Sequence, residues 1–166
     1  MLHRIDMATK RTYKVDLTVE EKAQLRAAKL KIADLSSLST DNIGSILNVA
    51  PARAREINAL ITFQAIPSIG IKFAEDLISI GYYSLEELAT KDGPTLVHEL
   101  ETHCGYWIDP CVEDQCRLVV DYANNKDKTK NWWDFTAERK QYRATHGYPD
   151  GRPAKPWFEL YGYKKG

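Results

Sequence analysis

The chain has 166 residues, of which 43% are apolar and 28% charged, and its formal net charge is zero. That is enough chain for one compact core, and the composition is that of a soluble globular protein. No apolar run approaches the length of a membrane span, and an odd count of three cysteines argues against a secreted disulfide scaffold. Residues Met1 to Asp6 lack the apolar stretch of a signal peptide, so the expected location is the cytoplasm.

The zero net charge hides a division. Residues 1–65 sum to +3, residues 66–125 to −8 and residues 126–166 to +5. Residues 1–17 read as an N-terminal arm. Thr18-Val19-Glu20-Glu21 has the form of a capping box and predicts a helix running to about Lys29. Between Pro51 and Gln64, the positions Ala54, Ile57, Ala59, Leu60, Ile61 and Phe63 predict a largely buried helix. Ser84 to Glu87 reads as a second capping box, opening a short helix that ends near Thr90.

Asp92-Gly93-Pro94 predicts another helix start, with Leu96, Val97, Leu100 and Cys104 on its buried face and Gly105 as its stop. Asp109-Pro110 places a cap before a first-turn proline. The helix after it is expected to bury Val112, Cys116, Val119, Val120 and Ala123. No segment alternates as a strand would.

Between the buried helix and the first acidic stretch stands Ile66-Pro67-Ser68-Ile69-Gly70-Ile71-Lys72-Phe73-Ala74. Pro67 ends the preceding helix, and Gly70 is expected to adopt a backbone geometry that a Cβ would disfavour. The pattern resembles the helix-hairpin-helix signature, with Ser68 where the first glycine usually stands. Such a turn leaves the next helix with unpaired N–H groups that can hold a phosphate. Ser68, Ile69 and Gly70 would offer backbone donors and Lys72 a charge. Relatives of this hairpin sometimes hold a monovalent cation on hairpin carbonyls, which the resemblance places near Ile66 and Ile69.

Two internal echoes accompany it. Leu35 to Asn42 matches Leu85 to Asp92 at an offset of 50, and Ile46 to Ala54 loosely repeats Ile66 to Ala74 at an offset of 20. The second echo predicts a degenerate hairpin beside the first, whose helix carries Arg53 and Arg55 as supporting phosphate contacts. With Tyr83 to Leu88, Asp109-Pro110-Cys111-Val112, Arg117 and Trp132-Trp133, the match widens to roughly residues 45–135. Over that span the chain resembles the bacterial pathogenicity-locus family of small helix-hairpin-helix proteins. The resemblance implies an all-α fold in a cytoplasmic bacterial protein and no particular reaction.

Other chemistry is weakly signalled. Cys104, Cys111 and Cys116, near His98 and His103, lack the short spacings of a zinc site. Cys104 and Cys116 are expected to be buried and free of metal. Cys111, in a helix's first turn, is a candidate reactive thiol opposed by Asp109. His3, His98 and His146 read as solvated, and the acid pairs Glu75-Asp76 and Glu86-Glu87 as helix surface. No phosphate loop, HExxH or nucleophile elbow is present, so no enzyme activity and no cofactor is expected.

The last segment, residues 126–166, is aromatic and basic. It joins Trp132-Trp133 to a helix over Thr136–Thr145 with Arg139, Lys140 and Arg143, then to Pro- and Gly-rich chain. Three readings stay open: a tail docked on the body, stacking aromatics and cations for a nucleic acid, or docking of a partner protein. The expectation is therefore a tandem helix-hairpin-helix (SAM-like) all-α domain over 18–125 with an irregular C-terminal extension. Its leading function is weak, sequence-independent contact with DNA or RNA backbone. The rival is a protein-interaction module in which the hairpins are only architecture. Clustering of Lys72, Arg53 and the Arg139–Arg143 helix on one side would favour nucleic acid.

Overall fold

A computed structural model describes residues 12–159. Among them it is helical, with no strand and one isolated bridge, between Trp107 and Pro156. Eight α-helices run in order: α1 Val19–Ala27, α2 Thr40–Leu47, α3 Pro51–Gln64, α4 Ile71–Ser79, α5 Leu85–Ala89, α6 Gly93–Cys104, α7 Pro110–Asn125 and α8 Thr136–His146. Short 3-10 turns at Ile32–Ser37, Trp132–Phe135 and Trp157–Glu159 complete the set. No described helix is long and apolar enough to cross a membrane.

The helix starts follow local chemistry. The Thr18 hydroxyl accepts from the Glu21 N–H at 3.1 Å, and Glu21 accepts from the Thr18 N–H at 3.0 Å, so the first capping box is complete. Its helix stops at Ala27, two residues short of the expected end, because Lys29 turns left-handed at φ 56°. The second box is only half formed. Ser84 accepts from the Glu87 N–H, but Glu87 reaches past the cap to the Tyr83 N–H. Asp92 and Asp109 cap α6 and α7, and Gly105, at φ 78°, ends α6 in the conformation glycine tolerates best.

Helix α3 organises the packing. Its Ala54, Ile57 and Ile61 enter one apolar cluster with Leu25 of α1 and Ile43 and Leu47 of α2. Its Leu60 and Phe63 enter a second cluster with residues of α4 to α7. Sharing both clusters buries much of α3, while Pro51, Ala52 and Arg55 near its start stay exposed. The chain before α1 joins this helix too: Gln64 exchanges hydrogen bonds of 2.9 and 2.7 Å with the Lys14 backbone. Helices α6 and α7 approach so closely at Gly93 that a Cβ there would lie 2.4 Å from Arg117 Cγ.

The C-terminal segment folds back on the body, and ion pairs hold it there. On α8, Arg139 Nε donates to Asp114 Oδ1 at 2.7 Å, and the Thr136 hydroxyl donates to Asp114 Oδ2 at 2.8 Å. Arg143 donates to Glu113 through Nε at 2.7 Å and also through Nη2. Farther on, Arg152 Nε donates to Glu101 at 2.8 Å. All three acids are buried, so each needs its cation.

Aromatic rings fill the spaces between these guanidiniums. Arg143 lies 4.3 Å and Arg152 3.6 Å from the Tyr148 ring centre, and Arg152 also lies 5.2 Å from that of Trp107. Each stacked cation adds about 0.5–2 kcal/mol where desolvated. Residues 136–152 of this segment are thereby held against the helical body.

The cysteines are all free. Cys116 is fully buried, as expected, but Cys104 is exposed and corrects the periodicity argument. It is the last residue of α6, where the chain has already turned away from the core, and the buried face ends at Leu100 and Glu101. Native protein should therefore release two thiols to an aromatic disulfide reagent and the third only on denaturation. Cys111 should be the slower of the two near neutral pH, because burial and then Asp109 push its thiol up. Three reactive thiols, or one, in the folded state would contradict this placement.

Candidate functional site

The α3–α4 turn is built as its sequence suggests, with one exchange of roles. Ser68, not Gly70, carries the left-handed backbone, at φ 60°. Gly70 is extended at φ −99° and a Cβ on it would meet nothing within 4 Å, so the expected steric need for glycine there is absent. The Ser68 hydroxyl donates to the Pro67 carbonyl at 2.6 Å, which offsets part of its strain. It also accepts from the Trp132 N–H at 3.0 Å, pinning the C-terminal segment to the turn. Ile69 is buried and its N–H donates to the Ile66 carbonyl at 3.2 Å.

What remains open is the first turn of α4. Side chains cap α1, α2, α5, α6 and α7, whereas α3, α4 and α8 have no side-chain cap, α8 continuing directly from the Trp132–Phe135 turn. Pro51 removes one orphan donor from α3. Nothing comparable serves α4, which begins at exposed Gly70 with exposed Lys72 in its first turn.

The α2–α3 turn has the same backbone course at the expected offset of 20. Asn48 is left-handed at φ 53° where Ser68 is, and Ala50 caps where Gly70 does. Yet the two turns share α3 and stand at its opposite ends. Fourteen helical residues span about 20 Å, so the turns do not lie side by side.

The two arginines of that second turn have other partners. Arg53 holds Glu21 through Nε at 2.8 Å and Nη2 at 2.9 Å, and Nη2 also donates to the Asp16 carbonyl at 2.8 Å. The Arg53 hydrogen bonds keep the Glu21 carboxyl below the usual carboxylate range. Arg55 lies 4.0 Å over the Tyr83 ring and 3.5 Å from Glu87. Of the six residues expected to meet phosphate, the structure groups Ser68, Ile69, Gly70 and Lys72 and separates Arg53 and Arg55 from them.

The neighbour of the α4 start is instead the α6–α7 corner. Between them lies a cleft of about 360 Å³. Lys72 and Asp76 of α4 line one side, and Cys104, Asp109 and Cys111 of the corner the other. Leu100, Ile108 and Val112 supply apolar wall, and His103 of α6 and Trp157 of the C-terminal segment complete the lining. Asp76 is half-buried, against the expectation of helix surface, and burial raises its carboxyl while Lys72, one turn earlier, pulls it down. No group of three or more His, Cys, Asp or Glu side chains is placed to hold a metal ion among the described residues.

Sequence reasoning missed this cleft, because its walls come from three separated segments. A usable signal was Asp109-Pro110 itself, which places a second corner after the first. His98 also departs from expectation: it is half-buried, and its Nδ1 is enclosed without a hydrogen-bond partner.

Fold and surface together define an all-α protein whose helices meet in corners, with a C-terminal segment strapped across them. The model of the Cdd1 family, described as Pathogenicity locus, matches residues 56–141, and the chain belongs to that family. The matched span holds the α3–α4 turn, the α6–α7 corner, the cleft residues up to Val112 and Arg139. It leaves out Arg53 and Arg55. No curated protein and no solved structure matches the chain.

Proposed function

We propose that this protein is a protein-interaction module. In this reading α3–α4 and α6–α7 are its two helix-hairpin-helix units, α5 is their connector, and the hairpins serve as architecture. The observation that carries the reading is the cleft left open between the two corners, with apolar walls and an aromatic edge. Concave apolar surface with a few convergent polar groups is the usual form of a recognition site.

The charge arrangement supports the same reading. Arg53, Arg55, Arg139, Arg143 and Arg152 all pair with carboxylates of this chain. Backbone phosphate binding draws on cations that are available to it. Asp109, whose carboxylate caps α7 by accepting from the Cys111 N–H at 2.9 Å, already fills the place an anion would take at the second corner.

A second reading, sequence-independent contact with DNA or RNA backbone, is favoured by one observation, the uncapped start of α4 with Gly70 open above it and Lys72 beside it. Titration of the whole chain with single- and double-stranded oligonucleotides at low salt separates the two. The interaction module should show no salt-sensitive binding. Binding whose log affinity falls steeply with log salt, with a slope that flattens by about 0.7–0.9 in Lys72→Glu, would overturn it in favour of nucleic acid. Equal weakening on every oligonucleotide in Gly70→Val would place the contact at α4.

A further inference from the structure

We infer that the cleft between α4 and the α6–α7 corner receives a basic side chain, lysine or arginine, from the partner protein. This rests on the interaction-module reading and names the chemistry of the partner.

Two features of the cleft fit such a side chain from opposite ends. A lysine or arginine carries an apolar stem that favours burial along hydrocarbon and a charged head that does not. Leu100, Ile108, Val112 and the Trp157 indole supply the wall for the stem. Asp76 and Asp109 supply carboxylates for the head, and Lys72 and the His103 imidazole are the basic groups beside them. With histidine counted as uncharged, the formal balance is one negative charge, which an entering cation would neutralise.

The wider field points the same way. Of the −8 carried by residues 66–125, five charges are met by cations from outside that span: Arg55 on Glu87, Lys130 on Asp121, Arg139 on Asp114, Arg143 on Glu113 and Arg152 on Glu101. The remaining excess of three is negative, and Asp76 and Asp109 of that excess line the cleft, where they attract a basic side chain and repel an acidic one. Asp76 is the group best placed to select. It is half-buried beside apolar walls, where a carboxylate gains most from a new opposite charge.

The test uses the full chain and four capped pentapeptides, Ac-Ala-Leu-X-Leu-Ala-NH2, with X as arginine, lysine, norleucine or glutamate. Amide shifts in a nitrogen–proton NMR titration report where each binds. Alkylation of Cys104 and Cys111 by iodoacetamide reports whether the cleft is covered, since both thiols line it and Cys116 does not.

The arginine and lysine peptides should shift cleft residues and slow alkylation of the two thiols. They should bind about tenfold more tightly than the norleucine and glutamate peptides, and Asp76→Asn should remove about that tenfold preference, the scale of one charge-assisted contact. Norleucine binding as tightly as arginine would overturn the charge assignment while leaving the module reading in place. Glutamate preferred over arginine, or no peptide shifting the cleft, would overturn the inference outright. Failure of the module reading is read separately, from the oligonucleotide titration.

Discussion

Arg139→Met is expected to destabilise the protein by about 3–5 kcal/mol, the cost of leaving a buried charge without its partner. Asp114 is fully buried on α7, and its two oxygens accept from Arg139 and from the Thr136 hydroxyl. Methionine keeps most of the arginine volume and removes the cation, so the variant isolates charge from packing. The carboxylate would then sit in the interior with one neutral hydrogen bond.

Urea unfolding measures the loss. Adding Asp114→Asn to Arg139→Met should recover a large part of it, because an amide costs far less to bury than an unpaired carboxylate. A single variant within about 1 kcal/mol of wild type, the usual scale of an exposed ion pair, would show that the pair is solvated and that α8 docks by other means.

Phe63→Ala is expected to cost a similar amount, about 3–5 kcal/mol, as the lost transfer energy of a large ring plus the cavity it leaves. Phe63 is fully buried on the face of α3 that meets α4 to α7. The neighbouring face of the same helix packs α1 and α2. Because one helix belongs to both clusters, the loss should lower a single cooperative transition in calorimetry and leave no separate early melting of the first cluster. Two resolved transitions would show that the clusters are independent and that α3 does not couple them.

The partners of the arginines lie beyond the reach of local pattern. Arg139, Arg143 and Arg152 stand in a basic, aromatic stretch, and that composition suits a single-strand binder as well as a strapped tail. Their carboxylate partners lie 25, 30 and 51 residues away. No local pattern shows such pairings. The same holds for Arg53, whose partner Glu21 reads as half of a capping box and turns out to serve both roles, 32 residues from the arginine.

The corner geometry divides in the same way. The left-handed residue and the start of α4 are legible around Ser68 and Gly70, and the echo at Asn48 and Ala50 is real in backbone terms. Which two corners face each other is a different matter. The echo placed the second beside the first, but a helix shared between two turns sets them at its two ends. The corner that lines the cleft with α4 is the one that Asp109 and Pro110 open.

By itself, the sequence determined the helices, most of their ends and most of the buried faces, and through its motifs the family. Caps, prolines and 3.6-residue periodicity act within a few residues of chain, so their outcome is local and can be read there. Only the tertiary structure decided which charges remain available and where the open surface lies. An ion pair or a cleft depends on which distant elements the core brings together, and that is settled by the packing of α3, α4, α6 and α7 rather than by any one segment.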